Sequence, residues 1–125
     1  MVVVDTSVWV HHFRRGNESL INLLGNDQAI CHPLILLEIA CGSPPTPRYK
    51  TLAYLGKLQN AKTATTSEIM SLIESNKLYD SGCGAIDISL LASTLITPHA
   101  KIWTLDKKLE TLAKTLGISF NPKLR

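Results

Sequence analysis

Four acidic residues sit where a charge is expensive. Asp5 lies in VVVDTSVWV, Glu38 in HPLILLEIACG, Asp87 in GAIDISLLAS and Asp106 in KIWTLDKKL. An ionised carboxylate beside an apolar core costs several kcal/mol unless it is paired or bound to a cation. A fold that gathers all four segments around one cation accounts for every one of them. Carboxylate oxygens suit hard divalent ions such as Mg2+ and Mn2+. A bound ion of that kind acidifies water and neutralises phosphate charge. The chemistry in view is therefore metal-assisted phosphodiester hydrolysis, with no side-chain nucleophile. No GxSxG, GKS/GKT or HExxH motif points elsewhere.

Each acid has a blander reading when taken alone. Asp5 could cap a turn with Thr6 and Ser7. Asp106 and Asp87 could be first-turn acids favoured by a helix dipole. Glu38 resists this treatment, because it falls inside a helix with apolar neighbours on both sides. Four such acids together favour a shared site over four separate accidents.

The elements that must position these acids can be read from the chain. Val2–Asp5 has the β-branched character of a buried parallel strand. Thr6 or Ser7 caps the segment that follows. A short helix spans Glu18–Leu24, and Ala29–Cys31 is a second strand. Pro33 opens a helix that runs to Cys41 and stops at Gly42. Arg48–Leu58 carries a leucine stripe, Leu52, Leu55 and Leu58. Lys62–Thr65 is expected as a strand. Thr66 or Ser67 caps a helix running to about Leu78. After Gly82-Cys83-Gly84 a helix covers Ala85–Ile96. Lys101–Thr104 is a strand, Asp106 begins a last helix to Leu116, and Ile118–Phe120 is a final short strand.

Strands alternating with helices imply a parallel sheet covered on both faces. Ligands of such sheets bind beyond the carboxyl ends of the strands. Asp5 ends the first strand and Asp106 follows a later one, so both map to that edge. Glu38 and Asp87 arrive on helices, each sharing a face with apolar neighbours: Leu34, Ile35 and Cys41 for Glu38, Leu90 and Leu91 for Asp87.

Composition sets limits. The chain has 125 residues, the length of one domain, and 45% are hydrophobic, enough for a real core. No apolar run is long enough to cross a membrane. Cys31, Cys41 and Cys83 have an odd count and no CxxC spacing, so they read as reduced, buried thiols of a cytosolic protein. Net charge is only +3. Take the four acids out of the ten, however, and six remain against thirteen bases. That surface would attract a polyanion while the acidic site holds cations. Arg14 and Arg15, and Lys107 and Lys108 beside Asp106, are candidate phosphate contacts. Trp9 and Trp103 lie in apolar runs and read as core. His11 and His12 read as solvent-facing or hydrogen-bonded.

DTSVWVHHF, HPLILLEIACG, GCGAIDISLLAS and IWTLDKKL, in that order, resemble the PIN domain. Within it they look like the VapC-type toxins of bacterial toxin–antitoxin pairs. The resemblance covers nearly the whole chain. It implies a single PIN domain over residues 1–125, a three-layer α/β/α sandwich with a central parallel sheet, and a Mg2+- or Mn2+-dependent endoribonuclease. It assigns metal binding and catalysis to Asp5, Glu38, Asp87 and Asp106, with Thr6, Ser7 and Thr104 supporting them. It also implies a homodimer, a cognate antitoxin lying over the active-site groove, and tRNA or ribosomal RNA loops as substrate. The chain differs from the subgroup at His11-His12 and at Ile88-Ser89, none of which is an expected ligand. Two rivals stand beside this reading. One is a PIN fold that binds RNA or a partner without catalysis. The other, a haloacid-dehalogenase-type phosphatase, needs a second Asp where this chain has Ser7.

Overall fold

Val2–Val4 forms the central strand, β1, of a parallel sheet. In the computed structural model, which describes residues 1–122, β1 is flanked by β2 (Ala29–Ile30) and β3 (Lys101–Trp103), giving the order β2-β1-β3. The last three positions of the expected 1–125 span lie outside the described residues. The register pairs Val3 with Ile30 on one side and with Ile102 on the other. Every strand residue except Lys101 is buried. A sheet buried on both faces is a middle layer, as an α/β/α sandwich requires.

Among the described residues seven helices supply the outer layers: α1 (Thr6–Arg15), α2 (Glu18–Gly25), α3 (Pro33–Cys41), α4 (Arg48–Gly56), α5 (Thr66–Asn76), α6 (Ala85–Ile96) and α7 (Lys107–Thr115). The core joins Val3, Val4, Val8, Trp9, Leu20, Ile30, Ile35, Leu90, Leu91, Ile102 and Leu109, all nearly inaccessible. Trp9 and Trp103 are both buried, as their apolar settings imply.

Two expected strands are corrected. Lys62–Thr65 forms no strand. The sheet is instead extended by a single parallel bridge between Cys31 and Asn60. Beyond it, hydroxyls on α6 and at its C-cap take the backbone donors that a strand would have needed. Lys62 N–H donates to Thr97 Oγ1 at 2.9 Å and Ala64 N–H to Ser93 Oγ at 3.0 Å. On the other side, Ile118–Phe120 reduces to one bridge, Ser119 with Ile102.

Several caps also move by one residue. Asp5, rather than Thr6 or Ser7, caps α1. Thr65, rather than Thr66 or Ser67, caps α5, in a reciprocal box with Glu68. That helix stops at Asn76 because Lys77 turns left-handed at φ 52°. α4 ends at Gly56, short of Leu58. The thiols differ from expectation too: Cys31 is buried, Cys83 is half-buried and Cys41 is exposed, because Cys41 ends its helix on the solvent side.

Candidate active site

Asp5 follows β1 directly, and its N–H donates to Trp103 O at 2.9 Å, so the ladder to β3 continues to the rim of the sheet. Asp5 is 6% exposed there. Its Oδ2 accepts from two hydroxyls, Ser7 Oγ at 2.7 Å and Thr104 Oγ1 at 2.8 Å. Each hydroxyl is in turn fixed by a backbone donor of the turn after β3. Leu105 N–H donates to Ser7 Oγ and Asp106 N–H to Thr104 Oγ1, both at 3.0 Å. Among the described residues no bond made by the Asp5 side chain uses Oδ1.

Asp106 closes the same turn. It caps α7, accepting from Leu109 N–H at 2.9 Å, and is itself exposed. The dipole of α7 favours an acid there, so its place in the rim and its role as a cap coincide.

Glu38 comes from the middle of α3. Its Oε1 accepts from Thr6 Oγ1 at 2.6 Å, which ties α3 to the first turn of α1. Glu38 is half-buried, so it stands at the edge of the apolar face and not within it. Asp87 sits in the first turn of α6 and is half-buried as well. Its carboxyl is pushed above the usual carboxylate range. Burial is the largest cause, followed by the charges of Asp5, Asp106 and Glu38. Those couplings place four carboxylates from four segments in one electrostatic neighbourhood.

The donor chemistry fits a hard divalent cation: oxygen ligands only, three of the four at least half-buried, and like charges that make no ion pair among the described residues. The carboxylates stand apart. Among the described residues, no three His, Cys, Asp or Glu side chains are drawn to ligating spacing.

The expected phosphate contacts surround this rim. Arg14 and Arg15 are exposed at the end of α1. With Ser7 and His11 they line an open groove of about 240 Å3. Lys107 and Lys108 are exposed on α7. Lys108 lies against Gly82, where an added Cβ would stand 2.8 Å from Lys108 Cδ. Gly82 also has φ 86°, so its lack of a side chain serves both the turn and the close approach. Among the described residues none of these four cations makes an ion pair; the one such pair is Lys114 with Glu110. His11 and His12 share Asn17: its N–H donates to His12 Nδ1, and its side-chain amide meets His11 Nδ1 at 3.3 Å.

One positioning residue escaped the sequence reading. His32 is buried and caps α3, its Nδ1 accepting from Leu34 N–H at 3.0 Å. Its Nε2 lies 2.9 Å from Ser93 Oγ on α6. His32 thus fastens the helix bearing Glu38 to the helix bearing Asp87. Burial lowers its basicity, which suits a ring that must accept at Nδ1. The available signal was its place just before Pro33, the N-cap position of a helix opened by proline.

No family model matches the chain. Over 119 residues it is 38% identical to Ribonuclease VapC32 of Mycobacterium tuberculosis, in strain CDC 1551 / Oshkosh and equally in strain ATCC 25618 / H37Rv, with 95% of each chain covered. Similarity at this level, along almost the full length of both chains, shows a common lineage: the chain belongs to the VapC family of PIN-domain ribonucleases.

Proposed function

We propose that this ribonuclease hydrolyses RNA phosphodiester bonds with Mg2+ or Mn2+ held by Asp5, Glu38, Asp87 and Asp106. The observation that carries the proposal is the hydrogen-bonded rim of the sheet, where Thr104 joins Asp5 to the turn bearing Asp106 and Thr6, next to Asp5, holds Glu38. When bound, such a cation supplies an acidified water and neutralises phosphate charge. The chain's own residues do the rest. Thr104 and Ser7 hold Asp5 by Oδ2, and no hydrogen bond among the described residues occupies Oδ1. Thr6 fixes the rotamer of Glu38. Arg14, Arg15, Lys107 and Lys108 attract and align the phosphate backbone.

In the cell the protein would act as the toxin of a toxin–antitoxin pair, restrained by a cognate antitoxin lying over the active-site groove. Its substrate would be a structured RNA, with tRNA or ribosomal RNA loops the leading candidates. No helix among the described residues is long and apolar enough to cross a membrane, and we place the protein in the cytoplasm. Exposed Met70 on α5 and Leu95 on the neighbouring α6 suit a homodimer contact.

The test is direct. Protein freed of antitoxin is incubated with total RNA, with and without Mg2+ or Mn2+, beside Asp5→Asn. Discrete metal-dependent fragments that vanish in the variant support the proposal. Wild-type cleavage by Asp5→Asn overturns the site. Metal binding by folded protein without any cleavage moves the weight to an RNA- or partner-binding role.

A further inference from the structure

A cavity of about 320 Å3 opens between α1 and the end of α3. It adjoins the acidic rim, because Thr6 and Glu38 belong to its lining. The other walls have a different character. Phe13 and Pro44 supply flat apolar surface, Ser43 a hydroxyl and Arg14 a guanidinium. Phe13 is held by Trp9, with ring centroids 5.9 Å apart. Pro44 is buried although its loop neighbours are exposed. The loop is fastened from α4: Arg48 donates to the carbonyls of Ala40 and Gly42, and Thr51 Oγ1 donates to Pro45 O at 2.9 Å. The shape of the cavity is therefore set before anything enters it, which reduces the ordering required on binding.

We propose that this cavity is a nucleobase subsite, seating the base of a nucleotide next to the phosphate that is cut. The inference rests on the nuclease reading and adds the recognition that reading lacks. Glu38 faces both the acidic rim and the cavity, so a strand with its phosphate at the rim has a neighbouring base within reach. Flat apolar surface with a guanidinium beside it is the usual environment of an unstacked RNA base. Arg14 also lines the groove that contains Arg15, so it joins the base subsite to the backbone path. A base inside a duplex cannot enter. The substrate must then present an unpaired nucleotide at the cut, and the enzyme must show a base preference at that one flank.

The test uses a synthetic oligoribonucleotide spanning a cut found in total RNA, with an abasic ribonucleotide placed at either flank. Wild type is compared with Ser43→Trp, which fills the cavity from an exposed lip position, and with Arg14→Gln; Mn2+ titration controls for the metal site. The subsite predicts that one abasic flank lowers wild-type kcat/KM about tenfold, the effect of losing one stacked base. Ser43→Trp should lower kcat/KM on intact RNA by a similar factor and lose its sensitivity to that abasic flank, with Mn2+ binding unchanged. Arg14→Gln should weaken the same sensitivity. A wild type indifferent to both abasic flanks, or a Ser43→Trp that keeps full sensitivity, overturns the subsite and leaves the nuclease standing. A wild type that binds Mn2+ and cuts no RNA overturns both.

Discussion

Thr104 Oγ1 donates to Asp5 Oδ2 across 2.8 Å, joining the ends of β3 and β1 although 99 positions separate the two residues. The same hydroxyl accepts Asp106 N–H, so its own hydrogen is free to point at the carboxylate. Ser7 repeats the arrangement with Leu105 N–H. The turn after β3 therefore orients Asp5 through two hydroxyl relays while it carries Asp106 into the same rim.

Replacing Thr104 by Val keeps the shape and removes the relay. The lost bond is to a charged, buried acceptor, so stability should fall by about 2 kcal/mol. Freed from its orienting donor, Asp5 should also lose metal affinity and cleavage rate by about tenfold or more. Thr104→Ser should restore most of both. Denaturant unfolding and single-turnover cleavage measure the two effects. A Thr104→Val protein with wild-type affinity and rate would show that Ser7 alone suffices.

Glu38 depends on Thr6 in the same way, but the link is more exposed. Thr6→Val should cost little stability, under about 1 kcal/mol for a partly solvated neutral hydroxyl. Its effect should appear at the metal, as roughly a tenfold weaker Mn2+ affinity. Calorimetric titration reads this directly. A large loss of stability with unchanged affinity would make Thr6 a packing residue and not a positioning one.

Much of this arrangement was legible in the chain. Asp5 and Asp106 are placed by topology, since both follow strands of a parallel sheet. Glu38 and Asp87 stand out because helix periodicity puts them beside apolar faces. The lost strand and the overlooked His32 share a cause: long-range hydrogen bonds that no local pattern encodes. Lys62–Thr65 has strand composition, yet Thr97 and Ser93 capture its donors from 35 and 29 residues away. Thr6 and Ser7 look like caps by type, but Asp5 takes that role, leaving their hydroxyls to serve Glu38 and Asp5. His32 went unnoticed because its partner Ser93 lies 61 positions on.

His32 makes the fold sensitive to mild acid. Its basicity is lowered by burial, so the folded state keeps a neutral ring where the unfolded chain would take up a proton. The stability concerned is present above the ordinary histidine range and is lost as pH falls below it. His32→Asn keeps a side-chain acceptor at the N-cap but cannot titrate. It should be less stable than wild type at pH 7, by about 1–2 kcal/mol for the lost contact with Ser93. Its stability should decline less between pH 7 and pH 5. Parallel slopes for the two proteins would remove His32 from the account of acid sensitivity.

Asp87 gives the opposite sign, and metal should reverse it. Its carboxyl is raised by burial and by Asp5, Asp106 and Glu38, so the folded, metal-free protein holds a proton that the unfolded chain has released. That contribution is complete below the ordinary carboxylate range and is lost as pH rises through the raised value. Metal-free wild type should therefore lose stability over this interval relative to Asp87→Asn, which cannot ionise there. A divalent cation binds the ionised form, so Mg2+ should stabilise wild type increasingly as pH rises, and stabilise Asp87→Asn far less. Thermal unfolding across pH, with Mg2+ and with chelator, separates the two proteins. If Mg2+ stabilises both equally at every pH, Asp87 is not a ligand, and its raised carboxyl reflects only burial and the neighbouring acids at the start of α6.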